Sequence, residues 1–331
     1  MRNTTKEVIG LDIGTSRIVA ARRENDGYGF EAQLNAFVSI PYSKLTENVL
    51  TKESVPHCVN GGEITVFGNE AARIADLLNV ETRRPMTRGV LNPGEPQSLA
   101  QIRRLLTSVL GEAPKQGHKV CFTVPAPGVG SEENITYHET MIRQILRDFG
   151  YEARSLNEGL AVIYGELEDS NYTGVGISFG GGLCNVALAY MSVPVLSFST
   201  PKGGDFIDSS AAAVTGELAN RVRLVKEDGF SLNGHYTEKI HQALSVYYDD
   251  MMQSVVNGLK EAFQVSRNVP KLGKKIPLVL SGGSALPAGF RDRFEKLIQE
   301  ALLPVQFSEI RLASDPLYAT AKGALVAALA D

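Results

Sequence analysis

The sequence predicts an α/β protein of two related halves facing each other across a cleft, and three observations predict it. Val8–Arg22, VIGLDIGTSRIVAAR, is two short apolar runs joined by a Gly14-Thr15-Ser16 turn, the pattern of a β-hairpin. Gly174–Tyr190, GVGISFGGGLCNVALAY, repeats it. With Asp12 set against Ser178, Gly14 falls on Gly180 and the apolar runs stay in step, at an offset of 166 in a chain of 331 residues. Such self-similarity at half length marks an internal duplication. After each hairpin, strand-like runs alternate with helical periodicities, which is the α/β pattern.

The elements follow in order. Asp26-Gly27 turns the chain into a strand over Tyr28–Ile40. Residues 41–70 carry Pro41, Pro56 and Gly61-Gly62, and read as a small appended unit ending in the strand Glu63–Phe67. A short helix opens at Gly68, and Arg83–Pro96 is a Pro/Gly-rich loop. Leu99, Ile102, Leu105, Leu106 and Val109 make Gln97–Leu110 an amphipathic helix. Lys119–Pro125 is a buried strand, Glu132–Phe149 a helix, Glu152–Leu156 a strand and Gly159–Leu167 a helix. In the second half a strand at 193–199 precedes helices around 205–228 and 236–266 and the strand Ile276–Ser281. The helix Pro287–Glu300, a strand near Val305–Ile310 and an Ala-rich helix, Asp315–Ala330, complete it. The expected division is 1–157 and 158–331, with small subdomains at about 31–75 and 205–270 and the last helix packing back on the first domain.

Composition excludes several classes. The chain is 43% hydrophobic and 21% charged, an ordinary globular balance. A formal net charge of −4 argues against a general nucleic-acid binder. No run approaches the roughly 18 apolar residues that span a bilayer. MRNTTKEVIG has no apolar core of a signal peptide. Cys58, Cys121 and Cys184 are odd in number and far apart, so neither a disulfide framework nor a zinc site is expected. The expected setting is a reducing cytoplasm.

The repeated turns carry the chemistry. Small-residue turns leave backbone N–H groups pointing into the gap, and such concave rows suit phosphate. Asp12 beside them can hold a metal ion through water. Three consecutive glycines, Gly180, Gly181 and Gly182, cost conformational entropy in a hairpin, which favours a ligand role over a structural one. Ser155 to Glu158 fits an S-x-x-E capping box, placing Glu158 at a rigid helix start. Asp205, after Gly203-Gly204, is expected to cap a helix.

Five separated motifs together resemble the actin-like ATPase superfamily of actins, heat-shock chaperone ATPases and sugar kinases. Gly10-Leu11-Asp12-Ile13-Gly14-Thr15-Ser16 resembles its first phosphate loop, and is also similar to that of FtsA. Leu156-Asn157-Glu158-Gly159-Leu160-Ala161 resembles the first connecting segment, and Ile177-Ser178-Phe179-Gly180-Gly181-Gly182 the second phosphate loop. Leu278–Leu286 resembles the adenosine motif and Asp315–Gly323 the second connecting helix. Phe67–Ala71, Arg84-Pro85-Met86 with Gly89-Val90, Val124-Pro125-Ala126 and Gly203–Asp208 are most similar to MreB-type bacterial actins.

The resemblance implies an actin-like fold of two RNase H-like domains with a nucleotide cleft, and an ATP-binding MreB-like protein that assembles with itself into cytoskeletal filaments. ATP or ADP with Mg²⁺ would be the cofactors. It implies Asp12 as the Mg²⁺-side carboxylate, acting through water, and Glu158 as the group that orients or activates the attacking water. Thr15 and Ser16 would meet the β-phosphate, with Arg17 adding charge or standing as a solvated strand residue. Gly180, Gly181 and Gly182 would approach the β- and γ-phosphates. Gly282, Gly283 and Ser284 would pack under adenine and ribose beside Gly204. Arg223, Lys226 and Glu227 either clamp the base or form a solvated helix face. Serine at 178 departs from the family's aspartate, so slow or absent hydrolysis is expected. Leu183 and Asn185 depart from the chaperone-like pattern as well. Membrane-associated or cell-envelope proteins are the further partners this class implies, at a cytoplasmic location or peripherally at the inner membrane. The alternatives are a non-polymerising nucleotide-binding scaffold of the same fold, and a small-molecule kinase.

Overall fold

The computed structural model describes residues 7–25, 27–111, 117–128, 135–265 and 274–330. The first half begins with β1 (Val8–Ile13), β2 (Arg17–Glu24) and β3 (Gly27–Leu34). An inserted unit follows: β4 (Phe37–Pro41), α1 (Lys44–Lys52), β5 (His57–Asn60), β6 (Glu63–Phe67) and α2 (Asn69–Leu78), then the short hairpin β7 (Met86–Thr87) and β8 (Val90–Leu91). The half ends with α3 (Ser98–Leu110), β9 (His118–Val124), α4 (Thr136–Asp148) and β10 (Tyr151–Asn157), and α5 (Glu158–Glu166) connects it to the next. The second half holds β11 (Gly174–Phe179), β12 (Cys184–Tyr190), β13 (Val193–Thr200), α6 (Gly204–Thr215), α7 (Ala219–Glu227) and α8 (Lys239–Val265). It closes with β14 (Ile276–Ser281), α9 (Phe290–Glu300), β15 (Phe307–Leu312) and α10 (Ala319–Leu329).

The duplication is visible in the sheets. One has the strand order β10-β9-β1-β2-β3 and the other β13-β12-β11-β14-β15, the same order read from opposite edges. In each, the first three strands pair antiparallel and the next two add parallel. The central strands β1 and β11 are apolar on both faces because each sheet is covered on both sides. The first sheet is filled by residues such as Ile9, Leu11, Phe122 and the inward stripe of α3, the second by Phe179, Tyr248, Phe290 and Phe294.

Two helices join the halves. α5 leaves the first sheet and packs on β11 and β12, while α10 leaves the second and packs on β1 and β9. Their crossing is built from small residues: a β-carbon on Gly323 would lie 1.7 Å from the Ala161 carbonyl oxygen. α10 is apolar nearly all round because it is enclosed nearly all round. No described helix is long and apolar enough to cross a membrane.

Several sequence expectations change. The strand expected over 28–40 is two strands in different sheets, bent at the buried Asn35, whose side chain donates to the Gly14 carbonyl (2.9 Å). Asp26 lies outside the described residues, as do 132–134 of the helix expected from Glu132 and residue 266 of the helix expected over 236–266. The region 205–228 is two helices, because Gly216 ends α6 in a left-handed conformation. The 83–96 loop contains the β7–β8 hairpin, and 41–70 contains α1 and β5. The capping box is replaced by a simpler cap. Asn157, not Ser155, starts α5, its Oδ1 accepting from the Leu160 N–H at 3.2 Å. Ser155 is a strand residue whose hydroxyl donates to Glu139 (2.7 Å).

Candidate functional site

The site grows from the two hairpin turns. Gly14 N–H donates to the Arg17 carbonyl (2.9 Å), leaving Thr15-Ser16 as a two-residue loop; Gly180 N–H donates to the Leu183 carbonyl (3.0 Å), leaving Gly181-Gly182. Asp12 lies opposite Val19 and Ser178 opposite Asn185, so the two positions are equivalent in their hairpins. The turns nest together. A β-carbon on Gly181 would come within 2.0 Å of Ser16 Oγ, and one on Gly182 within 2.3 Å of Thr15 Oγ1. A side chain at either glycine would therefore displace the Ser16 or Thr15 side chain of the opposite turn, and at Gly182 would also crowd the Arg88–Gly89 backbone. The Gly204 and Asp205 N–H groups at the start of α6 donate to the Gly180 and Gly181 carbonyls (2.9 and 2.8 Å). Among the described residues, the N–H groups of Thr15, Ser16, Gly181 and Gly182 have no protein acceptor.

These turns open into a cleft of about 580 Å³ between the halves. Asp12, Gly14, Thr15, Ser16 and Arg17 line it from the first half, with Glu158 from the connecting helix. Gly180, Gly181, Gly182, Gly204, Arg223, Lys226 and Glu227 line it from the second, with Gly282, Gly283 and Ser284 from the loop after β14. Every residue to which the sequence gave a nucleotide, metal or catalytic role thus borders one cleft.

Its centre is a pair of carboxyl groups. Thr123 Oγ1 donates to one Asp12 oxygen (2.6 Å) and Thr320 Oγ1 to the other (2.8 Å). Burial raises the Asp12 pKa against these two bonds. Glu158 is buried beside it; Asn185 Nδ2 donates to its Oε2 (2.8 Å), while Asn185 Oδ1 accepts from the Ala126 N–H (2.9 Å). Burial, reinforced by the Asp12 carboxylate, pushes Glu158 up to about 8, opposed by hydrogen bonds from Asn185 and Ser178. No lysine or arginine pairs with Asp12 or Glu158 among the described residues.

That uncompensated pair fits a divalent cation. The described residues include no cluster of three His, Cys, Asp or Glu able to hold a metal alone. Mg²⁺ does not need one, since it commonly takes one or two carboxylates and fills its shell with water and phosphate oxygens.

The structure gives roles to residues to which the sequence assigned none. Thr123, Thr320 and Asn185 orient the carboxyl pair. Their one signal was a polar residue inside an apolar strand or Ala-rich helix. Arg84 Nη1 reaches across the cleft to Asp205 (2.5 Å) and also donates to Ser16 Oγ (3.2 Å). Asp205 accordingly sits in the first turn of α6, is no helix cap, and gives its carboxylate to Arg84. Lys226 is no solvated residue either: its Nζ pairs with buried Asp208 (2.6 Å) and donates to the Gly204 carbonyl (3.3 Å).

The volactin family model matches residues 8–328, nearly the whole chain. The chain belongs to the volactin family. Among solved structures this volactin-family chain is similar to a MamK double helical filament, with TM-score 0.71, 18% identity, and 98% of this chain and 99% of that one covered. It is similar to MreB5 of Spiroplasma citri bound to ADP, with TM-score 0.64, 16% identity and coverages of 96% and 95%. A non-polymerising MamK mutant bound to AMPPNP matches with TM-score 0.58, 18% identity and coverages of 98% and 99%. No curated protein sequence matches the volactin-family chain. At these identities the likeness shows the fold, which this chain shares with MamK and MreB5.

Proposed function

We propose that the cleft binds ATP and ADP with Mg²⁺, and that the chain assembles with itself into cytoskeletal filaments. The observation that carries this reading is the nested pair of turns with unpaired N–H groups beside two carboxyl groups that have no basic partner among the described residues. The domain division at 157/158 belongs to the same proposal. Asp12 would hold Mg²⁺ through water, and the ion would supply positive charge beside the phosphates; Glu158 next to that charge would favour its ionised form. Glu158, aimed by Asn185, would then orient the attacking water. The neutral Ser178 and Asn185 supply no second acid from the other half, so turnover is expected to be slow. Filament assembly is supported by the MamK filament, whose fold this chain shares over its whole length.

The test is calorimetric titration with Mg·ATP, followed by sedimentation and electron microscopy of the loaded protein. Micromolar binding with filaments supports the proposal. A loaded protein that stays monomeric at high concentration removes the filament part. Ser178 favours a second reading, a scaffold that holds ATP without turning it over; tight binding with no phosphate release and no polymer supports it.

A further inference from the structure

One residue bordering the cleft carries a hydroxyl that the fold does not use. Tyr248, on α8, has no exposed surface, and its ring lies against Phe230 (5.7 Å, stacked) and Phe290 (6.2 Å, edge-on). Its Oη has no hydrogen-bond partner among the described residues, yet Tyr248 borders the cleft beside Phe230, Lys226 and Glu227. A buried unpaired hydroxyl is costly and calls for an explanation. The nearby Asp208 carboxylate is ion-paired with Lys226, and no hydrogen bond joins it to Tyr248. Burial, then the negative charges of Asp208 and Glu227, push the Tyr248 pKa up, so Oη keeps its proton and remains a donor.

The surroundings define what it would donate to. Leu286, Pro287 and Leu317 add apolar lining to the same cleft. An apolar-lined cleft bordered by a hydroxyl without a partner suits a flat heteroaromatic ring carrying an acceptor on its edge. We propose that Tyr248 determines base specificity, its hydroxyl donating to a ring nitrogen of a nucleobase seated between α7 and the loop after β14. The inference rests on the nucleotide reading of the cleft.

The test compares Tyr248→Phe with the wild-type chain, by melting without ligand and by titration with Mg·ATP and with Mg·ribose-5-triphosphate. The ligand-free variant should melt at or above the wild-type temperature, because it loses an unpaired hydroxyl. Its affinity for ATP should fall about fivefold to tenfold, the worth of one buried hydrogen bond, with ribose-5-triphosphate binding unchanged. Unchanged ATP affinity, or an equal loss for both ligands, overturns the inference while leaving nucleotide binding intact. A wild-type chain that binds neither ligand overturns both. The wild-type chain also gives the answer without a variant. Among deaza-ATP analogues that each lack one ring nitrogen, one should bind about tenfold more weakly than ATP; equal binding of all overturns the assignment.

Discussion

At position 178 the second half offers a hydroxyl where the first half offers the Asp12 carboxylate, on equivalent strands and beside equivalent turns. Ser178→Asp would restore the symmetry, and phosphate release should rise about tenfold or more, within the range one acid/base or water-orienting group supplies. Unchanged release would mean that residue 178 is not limiting. Glu158 gives a pH signature. The folded, ligand-free chain holds its proton up to about 8, whereas the unfolded chain loses it in the ordinary carboxylate range. The fold therefore binds more protons across that window and loses stability as pH rises through it. Melting without Mg²⁺ should fall from pH about 5 to about 9, and Glu158→Gln should flatten most of the slope. Equal slopes would assign the effect elsewhere. Asp12 and Glu158 were legible in the sequence because each sits in a local motif. Thr123, Thr320 and Asn185 were not, because their roles depend on which strand or helix lies beside them. Thr123, for instance, comes level with Asp12 only through the parallel register of β1 and β9.

At the level of elements, local pattern predicted what local pattern determines. The α3 stripe and the apolar runs of β9 and β14 appear where periodicity placed them. The failures are places where a tertiary contact decides the outcome. Asn35 splits a continuous strand pattern by reaching the first turn, and Ser155 forgoes capping because Glu139 of α4 lies within reach. The α5–α10 crossing tests such a contact directly. Gly323→Ala would drive a methyl into the Ala161 carbonyl, 1.7 Å from the new carbon. Backbone cannot yield as a side chain does, so the variant should lose about 3 kcal/mol or more, read by denaturant unfolding. A loss below about 0.5 kcal/mol, the size of an ordinary surface substitution, would show that the helices separate freely.

Over the whole molecule, the halves touch across the open side of the cleft at few polar points. Arg84 holds Asp205, and Asn220 Nδ2 donates to the Val80 carbonyl (3.2 Å). If the proposed nucleotide leaves by the side of the cleft that these bonds bridge, they break for it to go. Arg84→Ala should therefore speed nucleotide release about fivefold, the effect of a partly exposed ion pair worth about 1 kcal/mol. Stopped-flow displacement of a fluorescent ATP analogue measures it, and an unchanged rate would place the exit path elsewhere. The crossed helices have a further consequence, for synthesis. β1 leaves the ribosome roughly 300 residues before Leu325 and Ala321 of α10, which cover it. At about 5–20 residues per second, that face waits on the order of 15–60 s for its cover. During this interval an apolar strand surface stands open on every nascent chain. Chains on one message carry the same face at once, so the period before the last helix emerges is when misassociation and holdase capture should concentrate.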